Sequence, residues 1–170
     1  MIEIIEGNLL ESGCTFICHQ VNAQGIMGSG VAEQIRRKWS NVYYDYRYFI
    51  EHMLVNEFIQ HSKDILGLIS FTRLHDAGVA QYVINFYSQD NYMPRNICHT
   101  NYDAFRACCR RLKNLISQHY IKEYCTIGFP YKIGCGLAGG DWNIVYNIIE
   151  EEFQDYNVKI YKFGNNVVLQ

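Results

Sequence analysis

Proline is almost missing from this chain, with two in 170 residues. Few positions therefore force a break in regular structure. Charge is also sparse: 15 basic and 17 acidic residues leave a formal net charge of −2. The only dense basic cluster is the short "RRK" at 36–38. Neutralising a phosphate backbone takes a far longer basic stripe, so bulk nucleic acid is not an expected partner. No apolar run approaches the ~20 residues that cross a bilayer. No apolar segment follows a basic start. These absences read as a soluble, cytoplasmic chain with no membrane partner. No CxxC pair occurs among the seven cysteines, and an odd number without a secretion signal argues for reduced thiols rather than a disulfide framework. Cys14, Cys18 and His19 lie close in sequence, but strand alternation sends 18 and 19 to opposite faces, so no metal site is expected. The length fits a single domain over 1–170 that buries roughly two-thirds of its unfolded surface.

What is present alternates between two periodicities. Residues 2–6 ("IEIIE") read as a first strand, broken by Gly7-Asn8. Residues 15–21 are mostly apolar, as in a strand buried on both faces. Val31, Ile35 and Trp39 repeat at helical spacing, and 43–52 forms a second, tyrosine-crowded helix. Residues 66–73 and 80–86 read as strands joined by a hairpin-like turn at "HDAG". Thr100 and Asp103 form a capping-box-like pair before a helix whose apolar face carries Phe105, Cys108, Cys109, Leu112, Leu115, Ile116 and His119. A strand over 124–129 is stopped by Pro130. A last helix carries Trp142, Val145, Tyr146, Ile149 and Phe153, and a last strand covers 158–163. This alternation predicts a three-layer α/β/α sandwich around a mixed, mostly parallel sheet. Fourteen tyrosines fit a polar-edged core better than an interface.

Two glycine-rich stretches stand out: "CHQVNAQGIMGSGV" at 18–31 and "IGCGLAGGDW" at 133–142. Each lies between a strand and a helix. Parallel strands place ligands beyond their carboxyl ends, next to helix N-termini. Glycine lets backbone N–H groups approach an anion, and a helix start adds about half a positive charge. Two such turns facing each other can grip a diphosphate from both sides, whereas two ordinary tight turns would carry no such meaning. Neither stretch is a phosphate loop ending in Gly-Lys-Ser/Thr. Neither is a GxGxxG followed by an acidic residue about twenty positions on. ATP hydrolysis and Rossmann-type hydride transfer are therefore disfavoured, and no cofactor is expected.

"GN" after the first strand, "HQVNAQGIMGSGVA" and "IGCGLAGGDW" together resemble a macro domain, a family that binds ADP-ribose. The likeness runs from Ile2 to Phe163. It is nearest to bacterial and phage "Appr-1-p processing" proteins and the yeast ADP-ribose-1″-phosphate phosphatase. The resemblance implies ADP-ribose or a derivative as ligand, with ADP-ribosylated macromolecules as further partners. It implies phosphate contacts from Gly28, Ser29, Gly30 and Val31 and from Gly134, Cys135, Gly136, Leu137, Ala138, Gly139 and Gly140. Asn8 stands where the family has an Asp that accepts from the adenine amino group, and Leu9 adjoins it. Phe163 matches the aromatic that stacks on adenine, unless it is a core residue. Asn22 matches the contact to the distal ribose, unless it only forms a turn.

The same resemblance limits the chemistry. The glycohydrolase relatives use a lysine where "NFYSQDNY" places Gln89, and an acid where this chain has Ala138. Glutamine can hydrogen-bond a ribose but forms no Schiff base. Candidate catalytic groups are then Asp141, His19 and Gln89. His19 is either acid or base or a satisfied core histidine. Asp141 is either the orienter of a water or only a helix cap. Cys135 lacks a paired histidine and is disfavoured as a nucleophile. The implied activity is removal of the terminal phosphate from ADP-ribose 1″-phosphate. A non-catalytic ADP-ribose reader and an ADP-ribosyl-ester or protein de-ADP-ribosylase are the alternatives.

Overall fold

A computed structural model describes residues 2–75, 81–94 and 96–164. Six strands form one sheet: β1 (Ile2–Glu6), β2 (Phe16–Asn22), β3 (Ile69–Leu74), β4 (Gln81–Gln89), β5 (Thr126–Pro130) and β6 (Asn157–Lys162). Their spatial order is β1-β6-β5-β2-β4-β3, parallel throughout except for the antiparallel edge pair β3/β4. The helices are α1 (Gly30–Lys38), α2 (Ser40–Val55), α3 (Tyr102–His119) and α4 (Trp142–Glu152).

Strand alternation sorts the side chains into two cores. Phe16 and Cys18 of β2, with Ile84 and Phe86 of β4, pack with α3 and α4. Ile17 and Val21, with Val83 and Tyr87, pack with α1 and α2. The expected three-layer sandwich is therefore present. Cys18 and His19 point to opposite faces because successive side chains of β2 alternate across the sheet. The two helices of one layer are pinned electrostatically. Glu152 of α4 is buried and accepts from Arg106, Arg110 and Lys113 of α3 at 2.6–3.2 Å.

Several boundaries differ from the sequence reading, each for a local reason. The cap of α3 is Asn101, whose side chain accepts from the Ala104 N–H at 2.9 Å. Thr100 instead donates its hydroxyl to the Gly134 carbonyl at 2.6 Å. His119, in the last residue position of α3, lies exposed. Tyr124 belongs to a 3-10 turn (Lys122–Tyr124), and the following strand keeps Pro130 as its last residue. β4 continues to Gln89, since it pairs with β2 through Asn22. The supposed "HDAG" turn lies outside the described residues from Asp76 on.

The carboxyl ends of β2 and β5 lie toward one end of the sheet. The loop after β2 leads into α1, and the loop after β5 leads into α4. Both glycine stretches are these loops.

Candidate functional site

Between the two loops lies a cleft of about 520 Å³. Gly28, Ser29, Gly30 and Val31 form one wall, and Gly134, Cys135, Gly136, Leu137 and Ala138 form the other. His19 from the middle of β2, and Asn22 and Gln89 from the ends of β2 and β4, complete it.

The first wall begins at a β-bulge between Val21 and Asn22. The Asn22 carboxamide organises the turn: its Oδ1 accepts from Gln24 and Ile26 N–H groups at 3.0 and 3.2 Å, and its Nδ2 donates to the Ile26 carbonyl at 2.7 Å. Tyr46 of α2 buttresses it, donating its buried hydroxyl to the Asn22 backbone carbonyl at 2.6 Å, with Oδ1 3.0 Å away. Burial raises the Tyr46 phenol well above its usual range, so it remains a donor. Here the tyrosine-rich helix has a definite role: one of its tyrosines holds the loop after β2. Ser29, the N-cap of α1, makes no side-chain cap bond, in contrast to Asn101 on α3 and Asp141 on α4. The first N–H groups of α1 therefore face the cleft uncapped.

The second wall is stapled from below. Gln20 donates to Thr100 Oγ1 at 3.0 Å and accepts from Ser88 Oγ at 2.9 Å, and Thr100 in turn holds the Gly134 carbonyl. The Ala138 carbonyl accepts from the His99 and Thr100 N–H groups. Gly134 has φ +72°, and a Cβ there would lie 2.7 Å from Gln20 Oε1. At Gly140 a Cβ would meet backbone at the same distance, 2.7 Å from the Gly134 carbonyl oxygen. With the carbonyls fastened, the N–H groups of Gly136, Leu137 and Ala138 have no acceptor among the described residues. A concave set of unpaired backbone donors is an anion cradle.

His19 is buried at 1% exposure, yet it lines the cleft. Its Nε2 lies 2.6 Å from Asn85 Oδ1. Asn85 donates its Nδ2 to Ser70 Oγ at 3.0 Å, which turns its oxygen toward the imidazole. The proton therefore sits on Nε2, and Nδ1 is a bare acceptor with no partner among the described residues. Burial lowers the imidazole to about 4, against a smaller upward pull from Asn85, so the ring is neutral near pH 7.

The remaining sequence candidates fall in different places. Gln89 has both amide atoms engaged: Oε1 accepts from Gln20 at 3.3 Å and Nε2 donates to the Asn91 carbonyl at 2.7 Å. Asp141 caps α4, accepting from the Asn143 N–H at 2.8 Å, and is not part of the cleft walls. Gly139 and Gly140 support the second loop from behind. Asn8 accepts from the Leu10 N–H at 3.0 Å, Leu9 is buried against Gly128, and Phe163 is 40% exposed; none of the three reaches the cleft walls. Burial, and next the Asp141 charge, push the Cys135 thiol up to about 11, with Lys132 pulling it partly back, which disfavours it further as a nucleophile. Sequence reasoning missed Tyr92, Tyr131 and Lys132, which also line the cleft. For the last two, the signal was available in their position just before "IGCG".

No known family's sequence profile matches the chain, and no curated protein is similar to it. Solved structures are. A protein of unknown function from Bacteroides thetaiotaomicron is 27% identical, with a TM-score of 0.78 over 96% of this chain and 98% of its own. The macrodomain of Thermus aquaticus DarG is 22% identical, with a TM-score of 0.73 over 96% and 98%. The chain has the macrodomain fold. Another solved structure, Thermosipho africanus DarTG in complex with ADP-ribose, is 17% identical with a TM-score of 0.75 over 99% of this chain and 43% of its own.

Proposed function

We propose that this chain binds ADP-ribose, with the diphosphate held between the two loops and the nucleoside and outer ribose on opposite sides. The observation that carries the reading is the pair of facing backbone walls. Uncapped N–H groups at the start of α1 look across the cleft toward the unpaired amides of Gly136, Leu137 and Ala138. In the open cleft these donors face water, and a diphosphate exchanges that water for several charge-assisted hydrogen bonds at once. The DarTG neighbour, solved with ADP-ribose, supports the same ligand class. Isothermal titration with ADP-ribose tests it. A saturable heat and a melting shift are expected, and neither appearing refutes it.

We further propose that the bound derivative is ADP-ribose 1″-phosphate and that its terminal phosphate is removed by water. His19, midway along β2, lines the cleft, and its buried Nδ1 is a neutral acceptor with no hydrogen-bond partner among the described residues. It takes a proton from the water as the oxygen attacks phosphorus. The phosphorus–oxygen bond to the sugar breaks as the imidazolium passes its proton to the departing sugar oxygen, which leaves as a hydroxyl of ADP-ribose alongside inorganic phosphate. A specific observation favours a second reading, that of a reader without turnover. The amide of Gln89 and the carboxylate of Asp141 are already engaged inside the protein, and a base lowered to about 4 is a weak one. Phosphate release from ADP-ribose 1″-phosphate separates the two. Release that is lost in His19→Gln supports the hydrolase, and binding without release supports the reader.

A further inference from the structure

Lys132 is the only charged side chain among the described residues that line the cleft. Among the described residues it is also one of two non-glycine residues with positive φ, at +58°, the other being Glu57 far from the loops in sequence. A lysine has no local reason to adopt this conformation. Glycine or asparagine accommodates it at lower cost, and the short Asn side chain can bond locally where lysine cannot. The turn is built into the second wall, because the Lys132 carbonyl accepts from the Cys135 N–H at 2.9 Å. The strained position is thus fixed immediately before the unpaired amides of Gly136 to Ala138. Backbone strain that the surroundings enforce is characteristic of functional sites.

Neighbouring cations are differently placed. Lys162 approaches the Tyr131 ring at 5.8 Å but pairs with Glu6 at 3.3 Å. Arg36 lies over Tyr43 and donates to the Met27 carbonyl, outside the cleft. Lys132 is exposed and forms no ion pair among the described residues. Its ammonium lies 5.6 Å from the Tyr131 ring centroid, and Tyr131 lines the same cleft. Its charge reaches the loop, where it pulls the Cys135 thiol downward.

We infer that Lys132 is the cation that recognises the ligand's phosphates, kept in an unfavourable backbone conformation to place its charge at the cleft. This rests on the ADP-ribose reading of the site. It adds that a cradle otherwise made of neutral backbone dipoles has one mobile point charge, which makes binding sensitive to salt.

The test compares the full chain with Lys132→Gly, Lys132→Asn and Lys132→Arg by calorimetric titration with ADP-ribose at low and at physiological salt, with melting curves in parallel. Glycine and asparagine suit the positive φ, so both variants melt about 1–4 °C higher than the unaltered chain. Both also bind ADP-ribose roughly three- to tenfold more weakly at low salt, and their affinity changes less with salt. Lys132→Arg keeps the charge and stays within about twofold. Stability and affinity thus move in opposite directions, which a lysine with only a structural role does not produce. If the unaltered chain binds but the neutral variants bind equally well with the same salt dependence, Lys132 is not the anchor. If the unaltered chain itself shows no binding, the ADP-ribose reading fails and this inference falls with it.

Discussion

The buried imidazole of His19 makes the stability of this protein depend on pH in a way that one substitution isolates. In the folded chain His19 is neutral, with its value lowered by burial from 6.5 to about 4. Unfolded, it titrates near its ordinary value. Between these limits the unfolded chain binds more protons, so stability rises with pH in that window. The contribution is complete above about 6.5 and is lost progressively as pH falls through about 4. A difference of about 2.5 pH units at ~1.36 kcal/mol each gives about 3 kcal/mol as the full amplitude. The perturbation is His19→Gln, which does not titrate and whose amide can still donate to Asn85 Oδ1. Chemical denaturation of both chains from pH 7.5 down to 4 measures the unfolding free energy. Acid-sensitive carboxylates such as Glu152 are common to both chains, so the difference between the curves reports His19 alone. The gap should change by about 2 kcal/mol or more between the neutral and acid ends, with the variant losing less stability. Parallel curves would refute a buried neutral imidazole. They would also remove the bare Nδ1 acceptor on which the hydrolytic reading depends.

Other perturbations probe the loops and their supports. Gly140→Ala drives a methyl to within 2.7 Å of the Gly134 carbonyl and 3.2 Å of the Thr100 side chain, so it should cost about 1–3 kcal/mol, seen as a lower melting temperature. Gly136→Ala meets nothing within 4 Å and should melt normally, yet it lies in the cleft wall and should weaken ADP-ribose binding in a titration. Asp141→Asn keeps a capping oxygen for the Asn143 N–H and should leave the melting temperature within error; if turnover of ADP-ribose 1″-phosphate also survives, Asp141 is only a cap. Glu152→Gln leaves Arg106, Arg110 and Lys113 without their shared carboxylate and should cost about 1–2 kcal/mol in denaturation, with the loss shrinking in acid.

Periodicity made the layers legible because both cores depend on it. β2 alternates Phe16 and Cys18 on one face with Ile17 and Val21 on the other, and no long-range information is needed to see that a strand is covered twice. The glycine stretches were legible for a similar reason, since Gly134 and Gly140 occupy positions where a side chain has no room. Polar side chains were harder. Thr100 and Asn101 are adjacent and both can cap a helix; which one does is decided by the Gly134 carbonyl, 34 residues away, that draws the threonine off. Gln89 has the same difficulty. Its sequence position suggests a ribose contact, but Gln20, on the neighbouring strand, claims its amide oxygen.

Tyr46 and Lys132 show why the site itself was only half readable. Tyr46 sits in a run of tyrosines that suggests nothing beyond packing, yet its hydroxyl is 2.6 Å from the carbonyl of Asn22. That bond exists because α2 crosses beneath the loop after β2, a tertiary fact with no local signal. Lys132 directly precedes the second glycine stretch and was visible, but its meaning lies in a backbone angle. A basic residue beside a phosphate loop is unremarkable on a flexible turn. At φ +58° in a turn closed by the Cys135 N–H, the same residue is a local violation that the rest of the loop enforces. Natural sequences are otherwise consistent across levels, so a violation in the wall of a ligand cleft is where function should be sought first.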